Sequence, residues 1–249
     1  MKTTSERLTL GDYDPLIENE HLARYRFAQP MVAGMKVADL ACGTGYGSQM
    51  LADAGARSVH GMDISEEAVN LCIERNNKPN VTYSVANAQD LTAISDNEFD
   101  AVVSFETIEH LPDVEAYLDE MARILRPGGT YLVSTPDRRI VSTMYFFQRH
   151  PANRHHVREY TGRQLISLLS TRFEIKARYG QAFLAWWLVF WPVQVCIKSF
   201  CRILGTAKAR AFKDNLYSNG GNVEVMPKES GSRIPKYWVI SCVNNRKPS

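Results

Sequence analysis

Several features that would classify a chain quickly are scarce here. There are five cysteines, Cys42, Cys72, Cys196, Cys201 and Cys242, and no pair has the C-x-x-C spacing. An odd count without paired spacing argues against a disulfide scaffold or a zinc knuckle. The first twelve residues are polar and lack the apolar stretch of a signal peptide, so the expected location is cytoplasmic. There is no internal repeat and no low-complexity run. The longest apolar run, residues 183–197, is interrupted by Gln194. It is short of the roughly 20 residues that a spanning helix needs. Net charge is only +2, which argues against a uniformly basic nucleic-acid binder, and no DNA partner is expected.

What is present is a globular composition, 45% hydrophobic and 22% charged over 249 residues. The near-neutral charge hides an asymmetry. Residues 1–136 hold 10 Lys and Arg against 21 Asp and Glu, a net of −11, and residues 137–249 hold 19 against 6, a net of +13. The second half is therefore suited to an anionic partner.

Apolar periodicity predicts an alternating α/β fold. A helical stripe covers 16–28. Short apolar strands are expected at 35–40, 58–62, 81–85, 99–104 and 130–134, with two more at 173–178 and 237–243. Helices are expected at 49–54, 66–74 (capped by Ser65), 114–125 (opened by Pro112-Asp113) and 161–169. The last begins with the capping-box pattern Thr161-x-x-Gln164. Arg126-Pro-Gly-Gly129 is read as the stop of the 114–125 helix.

The segment Asp39-Leu-Ala41-Cys-Gly43-Thr-Gly45-Tyr-Gly47 joins a strand to a helix. Glycines there allow a tight turn and close backbone approach to a ligand at the helix N-terminus. The third glycine comes one position early for the dinucleotide pattern, and no lysine follows to anchor a triphosphate. A second acid, Asp63, ends the next strand, where a carboxylate can accept from both hydroxyls of a ribose. After the fourth strand comes Glu106-Thr-Ile-Glu109-His110, and a later loop supplies His155 and His156 before Val-Arg-Glu-Tyr160. Carboxylates and imidazoles at this spacing can converge on a cation: Mg²⁺ or Mn²⁺, with Zn²⁺ as a further candidate.

Residues 35–135 resemble the class I S-adenosylmethionine-dependent methyltransferases. The resemblance is carried by the Asp39–Gly47 loop, Asp63, Ser104-Phe-Glu106 and Leu125-Arg-Pro-Gly-Gly129. It implies a Rossmann-like seven-stranded sheet with helices on both faces. It places Asp39, Ala41, Gly43, Gly45, Asp63, Ile64, Asn87, Ala88 and Ser104 around S-adenosylmethionine. Asn87 stands where the family often has an Asp facing the adenine amine.

The Glu-x-x-Glu-His cluster with a later His is similar to that of small-RNA 3′-terminal 2′-O-methyltransferases and ubiquinone-biosynthesis O-methyltransferases. There the cluster binds a divalent metal. The implied metal ligands are Glu106, Glu109, His110 and His156. The implied catalytic residues are His110, Glu109 and His155. The alternative reading is a Glu-His pair that serves without metal as base and helix-start acid.

Glu18-Asn-Glu-His-Leu-Ala-Arg-Tyr-Arg-Phe27 and His156-Val-Arg-Glu-Tyr160-Thr resemble bacterial methyltransferases associated with cell-surface polysaccharide synthesis. That points to a small-molecule or lipid-linked glycan acceptor. A phenolic quinone precursor is the second reading. RNA, held through Arg149, Arg154 and Arg158, ranks below both, and a non-catalytic cofactor-binding subunit is the non-enzymatic reading.

Three regions are expected: an N-terminal helical lid (1–30), the methyltransferase domain (31–180 and 236–249) and an inserted Trp-rich, basic lobe (181–235). His21 and Tyr25 are candidate lid residues, with simple packing the plainer reading. Residues 182–210 carry Trp186, Trp187 and Trp191 ahead of Lys198, Arg202, Lys208 and Arg210. Aromatic and basic residues in that order suit peripheral contact with the inner face of the cytoplasmic membrane. A buried lid helix or a homodimer contact would use the same residues.

Overall fold

A computed structural model of the chain describes residues 15–142, 151, 153–185, 191–204, 208, 224–228 and 233–246. Trp186, Trp187, Arg149 and Arg210, named above, lie outside them.

Among the described residues, eight strands form one sheet in the order β3-β2-β1-β4-β5-β8-β6-β7. They are β1 (Lys36–Leu40), β2 (Ser58–Asp63), β3 (Val81–Val85), β4 (Phe99–Phe105), β5 (Leu125–Pro136), β6 (Phe173–Ala185), β7 (Met226–Pro227) and β8 (Arg233–Asn244). Strands β1 to β5 pair in parallel, and β8 enters antiparallel between β5 and β6. The seven expected strands are present. The eighth, β7, is a two-residue addition at the edge of β6.

Seven helices accompany the sheet among the described residues: α1 (Pro15–Ala28), α2 (Tyr46–Asp53), α3 (Glu66–Arg75), α4 (Val114–Ile124), α5 (Arg138–Val141), α6 (Gly162–Leu169) and α7 (Trp191–Leu204). The local signals behave as their chemistry dictates. Ser65 caps α3 by accepting from the Ala68 amide, Asp113 caps α4 through Ala116, and both halves of the Thr161–Gln164 capping box form.

Strand alternation sorts side chains onto two faces. Ala38, Leu40 and Val102 join the core under α4 and α6, with Tyr117, Met121 and Leu165. Val37, Val103 and Phe105 point the other way, to Tyr25 of α1 and Leu51 of α2.

Several boundaries differ from the sequence reading. Helix α4 gives way directly to β5 at Leu125, so Arg126-Pro-Gly-Gly129 lies inside the strand. The pairing with β4 shifts register there, from Phe99↔Leu125 to Ala101↔Thr130. Strand β6 runs to Ala185 because it pairs with β8 as far as Arg233. A lobe boundary at 181 therefore falls within a strand. Pro192 sits in the first turn of α7, where its missing N–H costs nothing. No described helix is long and apolar enough to cross a membrane.

Candidate active site

The strand order reverses at β1, which pairs with β2 on one side and β4 on the other. In an open α/β sheet such a reversal leaves a crevice beyond the carboxyl ends of the strands. Leu40 of β1 is level with Ser104 of β4, so the glycine loop and the Glu106–His110 turn leave neighbouring strands at the same end. Two non-glycine residues with left-handed backbone sit at those exits, Ala41 (φ 57°) and Glu106 (φ 52°). Such strain gathers at binding sites.

The glycine loop is held from behind. Cys72 donates to the Gly43 carbonyl at 3.3 Å and Tyr83 to the Gly45 carbonyl at 3.2 Å. Gly43 and Gly45 have φ of 56° and 77°. A Cβ on Gly45 would come within 2.8 Å of Cys72 Sγ, whereas one on Gly43 would meet nothing within 4 Å. The Gly43 side is thus the open side of the loop. Asp63 faces it: Oδ2 accepts from the Gly43 amide at 3.0 Å and Oδ1 from the Ser65 amide at 2.9 Å. Beside Asp63, Ile64 is 68% exposed, an apolar surface next to an oriented carboxylate.

Other residues assigned to the cofactor sit differently. Asp39 is buried: Oδ1 accepts from Tyr25 at 3.0 Å and Oδ2 from Ser48 at 2.6 Å. Strand alternation turns it toward α1 and α2, so it braces the loop from within. Burial pushes its carboxyl up to about 7, against the opposing bonds from Ser48 and Tyr25. Ser104 lies on the opposite face and accepts from the Tyr117 hydroxyl at 2.8 Å inside the core. Asn87 Oδ1 accepts from the Gln89 amide at 3.0 Å, closing a local turn. Ala88 packs against the core.

The acidic and imidazole residues gather at the other exit. Glu109, His110 and His156 each offer a ligand atom, all within 4.8 Å of one another. A 3-10 turn, Ile108–His110, aims the first two. The third arrives because the Glu109 carbonyl accepts from the Val157 and Arg158 amides at 2.8 and 3.1 Å. That dock makes the His-Val-Arg-Glu-Tyr segment part of the site.

Each imidazole has a partner behind it. His110 Nδ1 lies 3.1 Å from the His155 carbonyl, which fixes that nitrogen as the donor and leaves Nε2 basic. His156 Nδ1 lies 2.8 Å from Glu159 Oε1, and its Nε2 is 3.0 Å from the Asn153 amide nitrogen. Glu109 is buried and accepts from Thr135 Oγ1 at 2.9 Å. Burial above all, then the Glu106 charge, pushes its carboxyl well above the ordinary range.

Two expected participants are not brought into this group. The Glu106 carboxylate accepts from Ser134 Oγ at 2.6 Å, because the left-handed turn at Glu106 leads it back to β5. The His155 ring is exposed and accepts from Arg154 Nε at 3.2 Å. Only its backbone carbonyl serves the site, its neighbour His156 taking the inward place. Arg154 and Arg158 are both exposed.

Thr135, Ser134 and Glu159 were not anticipated, and neither was Arg24. The buried face of α1 is Glu20, Ala23, Arg24, Tyr25 and Ala28, while Leu16 is exposed. A glutamate and an arginine one turn apart were the available signal. Tyr25 packs edge-on against Tyr46 and Phe105, and His21 Nδ1 lies 3.3 Å from the Tyr46 hydroxyl.

Comparison with known proteins places these features. Residues 38–133 match a methyltransferase domain family. The chain is 37% identical over 161 residues to a probable S-adenosylmethionine-dependent methyltransferase of Mycolicibacterium smegmatis, covering 64% of this chain and 60% of that protein. It is 34% identical over 132 residues to a ubiquinone biosynthesis O-methyltransferase of Thiobacillus denitrificans, covering 51% of this chain and 56% of that protein. A fatty-acid O-methyltransferase of Mycolicibacterium smegmatis is 35% identical over 126 residues, covering 47% of this chain and 46% of that protein. The chain thus spans between 46% and 60% of the length of these relatives. Among solved structures, an S-adenosylmethionine-dependent methyltransferase from Mesorhizobium loti shares the fold, with a TM-score of 0.60 at 17% identity over 92% of this chain and all of that one.

Proposed function

We propose that this chain, which carries a methyltransferase domain of the class I fold, is an S-adenosylmethionine-dependent O-methyltransferase. Its acceptor is a hydroxyl of a cell-surface or lipid-linked glycan. The observation that carries the oxygen-directed reading is the convergence of Glu109, His110 and His156 at the end of β4, beside the glycine loop.

The donor's methyl is already activated by the sulfonium, so the protein has to align an acceptor oxygen and remove its proton. The open face at Gly43 suits the methionine portion, Asp63 the ribose hydroxyls and the exposed Ile64 one face of the adenine. His110, with Nδ1 held by the His155 carbonyl, presents Nε2 as the proton acceptor.

The donor set also fits a divalent ion. Two imidazoles and one carboxylate converge, and His156 is backed by Glu159, an arrangement common behind metal-binding histidines. With Glu106 turned away, the set is richer in nitrogen than the sequence implied, which favours Zn²⁺ or Mn²⁺ over Mg²⁺. Glu109, His110 and His156 would hold the ion, and His110 Nε2 would then be a ligand in place of a proton acceptor. It would supply a Lewis acid that lowers the acceptor hydroxyl's pKa.

The glycan acceptor rests on the two polysaccharide-type motifs, one carrying Tyr25 beneath the glycine loop and the other carrying His156. The Thiobacillus relative favours a second reading, a phenolic quinone precursor. The two are separated by incubating the chain with methyl-labelled S-adenosylmethionine and polysaccharide, lipid-linked glycan and quinone-precursor fractions. Label in a sugar methyl ether is the expected result. Label confined to the quinone fraction would transfer the assignment to the second reading.

A further inference from the structure

The segment that delivers His156 to the site carries two arginines of its own. Arg154 and Arg158 stand two positions before and two positions after it, and both are exposed. Two positions span at most about 7 Å of chain. The backbone there is pinned: Asn153 Oδ1 accepts from the His155 amide at 3.0 Å, and the Glu109 carbonyl accepts from the Arg158 amide at 3.1 Å. Arg154 Nε donates to His155 Nε2 at 3.2 Å, and among the described residues neither guanidinium is paired with a carboxylate. Two neighbouring acids are engaged elsewhere. Glu159 holds His156, and Glu115, whose charge also bears on Tyr160, pairs with Arg172 at 2.6 Å.

Tyr160 adds a further donor. The Arg158 guanidinium lies over its ring, Cζ being 5.4 Å from the centroid. Its backbone is fixed by the Arg138 amide, which donates to the Tyr160 carbonyl at 3.0 Å. The side chain is 2% exposed, yet the hydroxyl has no hydrogen-bond partner. Leaving a buried hydroxyl unpaired costs about 1–3 kcal/mol. Two guanidinium groups without counter-charge and one unpaired hydroxyl therefore gather within residues 154–160. The group that answers such a set is an anion with several acceptor oxygens. A phosphate ester fits, with up to two charges and three acceptor oxygens, and the guanidinium fork matches it bidentately. A carboxylate has one charge and two oxygens, and leaves part of the set unanswered.

We propose that Arg154, Arg158 and the Tyr160 hydroxyl form a subsite for a phosphate ester on the acceptor, so that the sugar is methylated while still attached through phosphate. The inference rests on the methyl-transfer reading. The acceptor hydroxyl meets His110 and His156, and the arginines on either side of His156 hold the phosphate about one sugar ring away. Two kinds of molecule carry this chemistry, a nucleoside diphosphate sugar and a sugar linked to a lipid through diphosphate.

The test is calorimetric titration of the full chain saturated with S-adenosylhomocysteine. EDTA is present, so that no metal ion bridges the probe to the protein. The probes are inorganic diphosphate, UDP-glucose, farnesyl diphosphate, D-glucose and oligouridylate. Tighter binding of the diphosphates than of D-glucose is expected. UDP-glucose ahead of inorganic diphosphate points to the nucleotide source, and farnesyl diphosphate ahead of it points to the lipid source. Arg154→Gln combined with Arg158→Gln should weaken the diphosphates by about 10- to 100-fold and leave S-adenosylhomocysteine affinity within twofold, which also shows that the variant is folded. Arg163→Gln, which removes an exposed charge from α6, should change neither by more than about twofold. Tyr160→Phe should weaken the diphosphates by about 2- to 10-fold without lowering thermal stability, since the hydroxyl has no protein partner to lose. An equal loss in Arg163→Gln would reduce the effect to net charge and overturn the subsite. So would a wild-type chain that binds S-adenosylhomocysteine but holds no diphosphate more tightly than D-glucose. Oligouridylate preferred over every other probe would make the arginines an RNA contact and overturn the phosphorylated-sugar assignment. Failure of the wild-type chain to bind S-adenosylhomocysteine would overturn the methyltransferase reading itself.

Discussion

The Tyr25 hydroxyl donates to Oδ1 of Asp39 at 3.0 Å, tying the N-terminal helix to the end of the first strand directly under the glycine loop. The bond is buried, and burial pushes the Asp39 carboxyl up to about 7. In the unfolded chain the same group titrates near ~3.9. The folded state therefore holds the extra proton between those values. The stability from this group is complete below pH ~4 and is lost as pH rises through about 7. Between pH 5 and 7 the unfolding free energy should fall more steeply in the wild type than in Asp39→Asn, by up to ~1.4 kcal/mol per pH unit. Denaturant titrations at pH 5, 6 and 7 measure this, and equal slopes would contradict it.

Two glycines of the loop should behave differently when changed to alanine. A Cβ on Gly47 would collide with the Tyr25 ring, whereas one on Gly43 would meet no protein atom within 4 Å. Gly47→Ala is expected to cost about 1–3 kcal/mol by overpacking and to loosen helix α1. Gly43→Ala should cost only about 1–2 kcal/mol, from its left-handed backbone. It should nonetheless lose more S-adenosylhomocysteine affinity, because its methyl enters the open face. Thermal unfolding and calorimetric titration of the two variants separate these effects.

The placement of the acids also gives opposite expectations for two glutamates. Glu109→Gln, like His156→Ala, should abolish retained Zn²⁺ or Mn²⁺ and methyl transfer, with S-adenosylhomocysteine affinity within a few-fold of wild type. Glu106→Gln should keep the metal, because that carboxylate is engaged with Ser134. Elemental analysis of the purified variants checks both. Wild-type metal content in Glu109→Gln would remove the ion from the site.

Helix α7 buries Ile197 and Cys201 while leaving Phe200 and Ile203 exposed, the latter at 83%. If this face meets a membrane, Phe200→Glu with Ile203→Glu should reduce co-sedimentation with anionic vesicles by about tenfold or more, since both apolar burial and charge attraction are lost. Thermal stability should change little, as neither side chain is in the core. Equal sedimentation of variant and wild type would place the contact elsewhere.

Much of the site could be read from the chain because its signals are local. Gly43 and Gly45 occupy left-handed positions that favour glycine, and Ser65, Asp113 and Thr161 cap the helices they precede. Which way Asp39 and Ser104 face was less plain. Both lie on strands buried on two sides, where a continuous apolar pattern does not reveal which face carries the ligand.

The sequence by itself determined the alternating strands and helices, the loop after β1 and the acid after β2, because periodicity, turn chemistry and capping act over a few residues. Tertiary structure decided the rest. It brought His156 to Glu109 through backbone bonds spanning almost fifty positions, turned Glu106 away to Ser134, and left Arg24 buried beside Gln181. No short-range rule encodes those outcomes, since each depends on which distant surface a side chain meets once the sheet has closed around it.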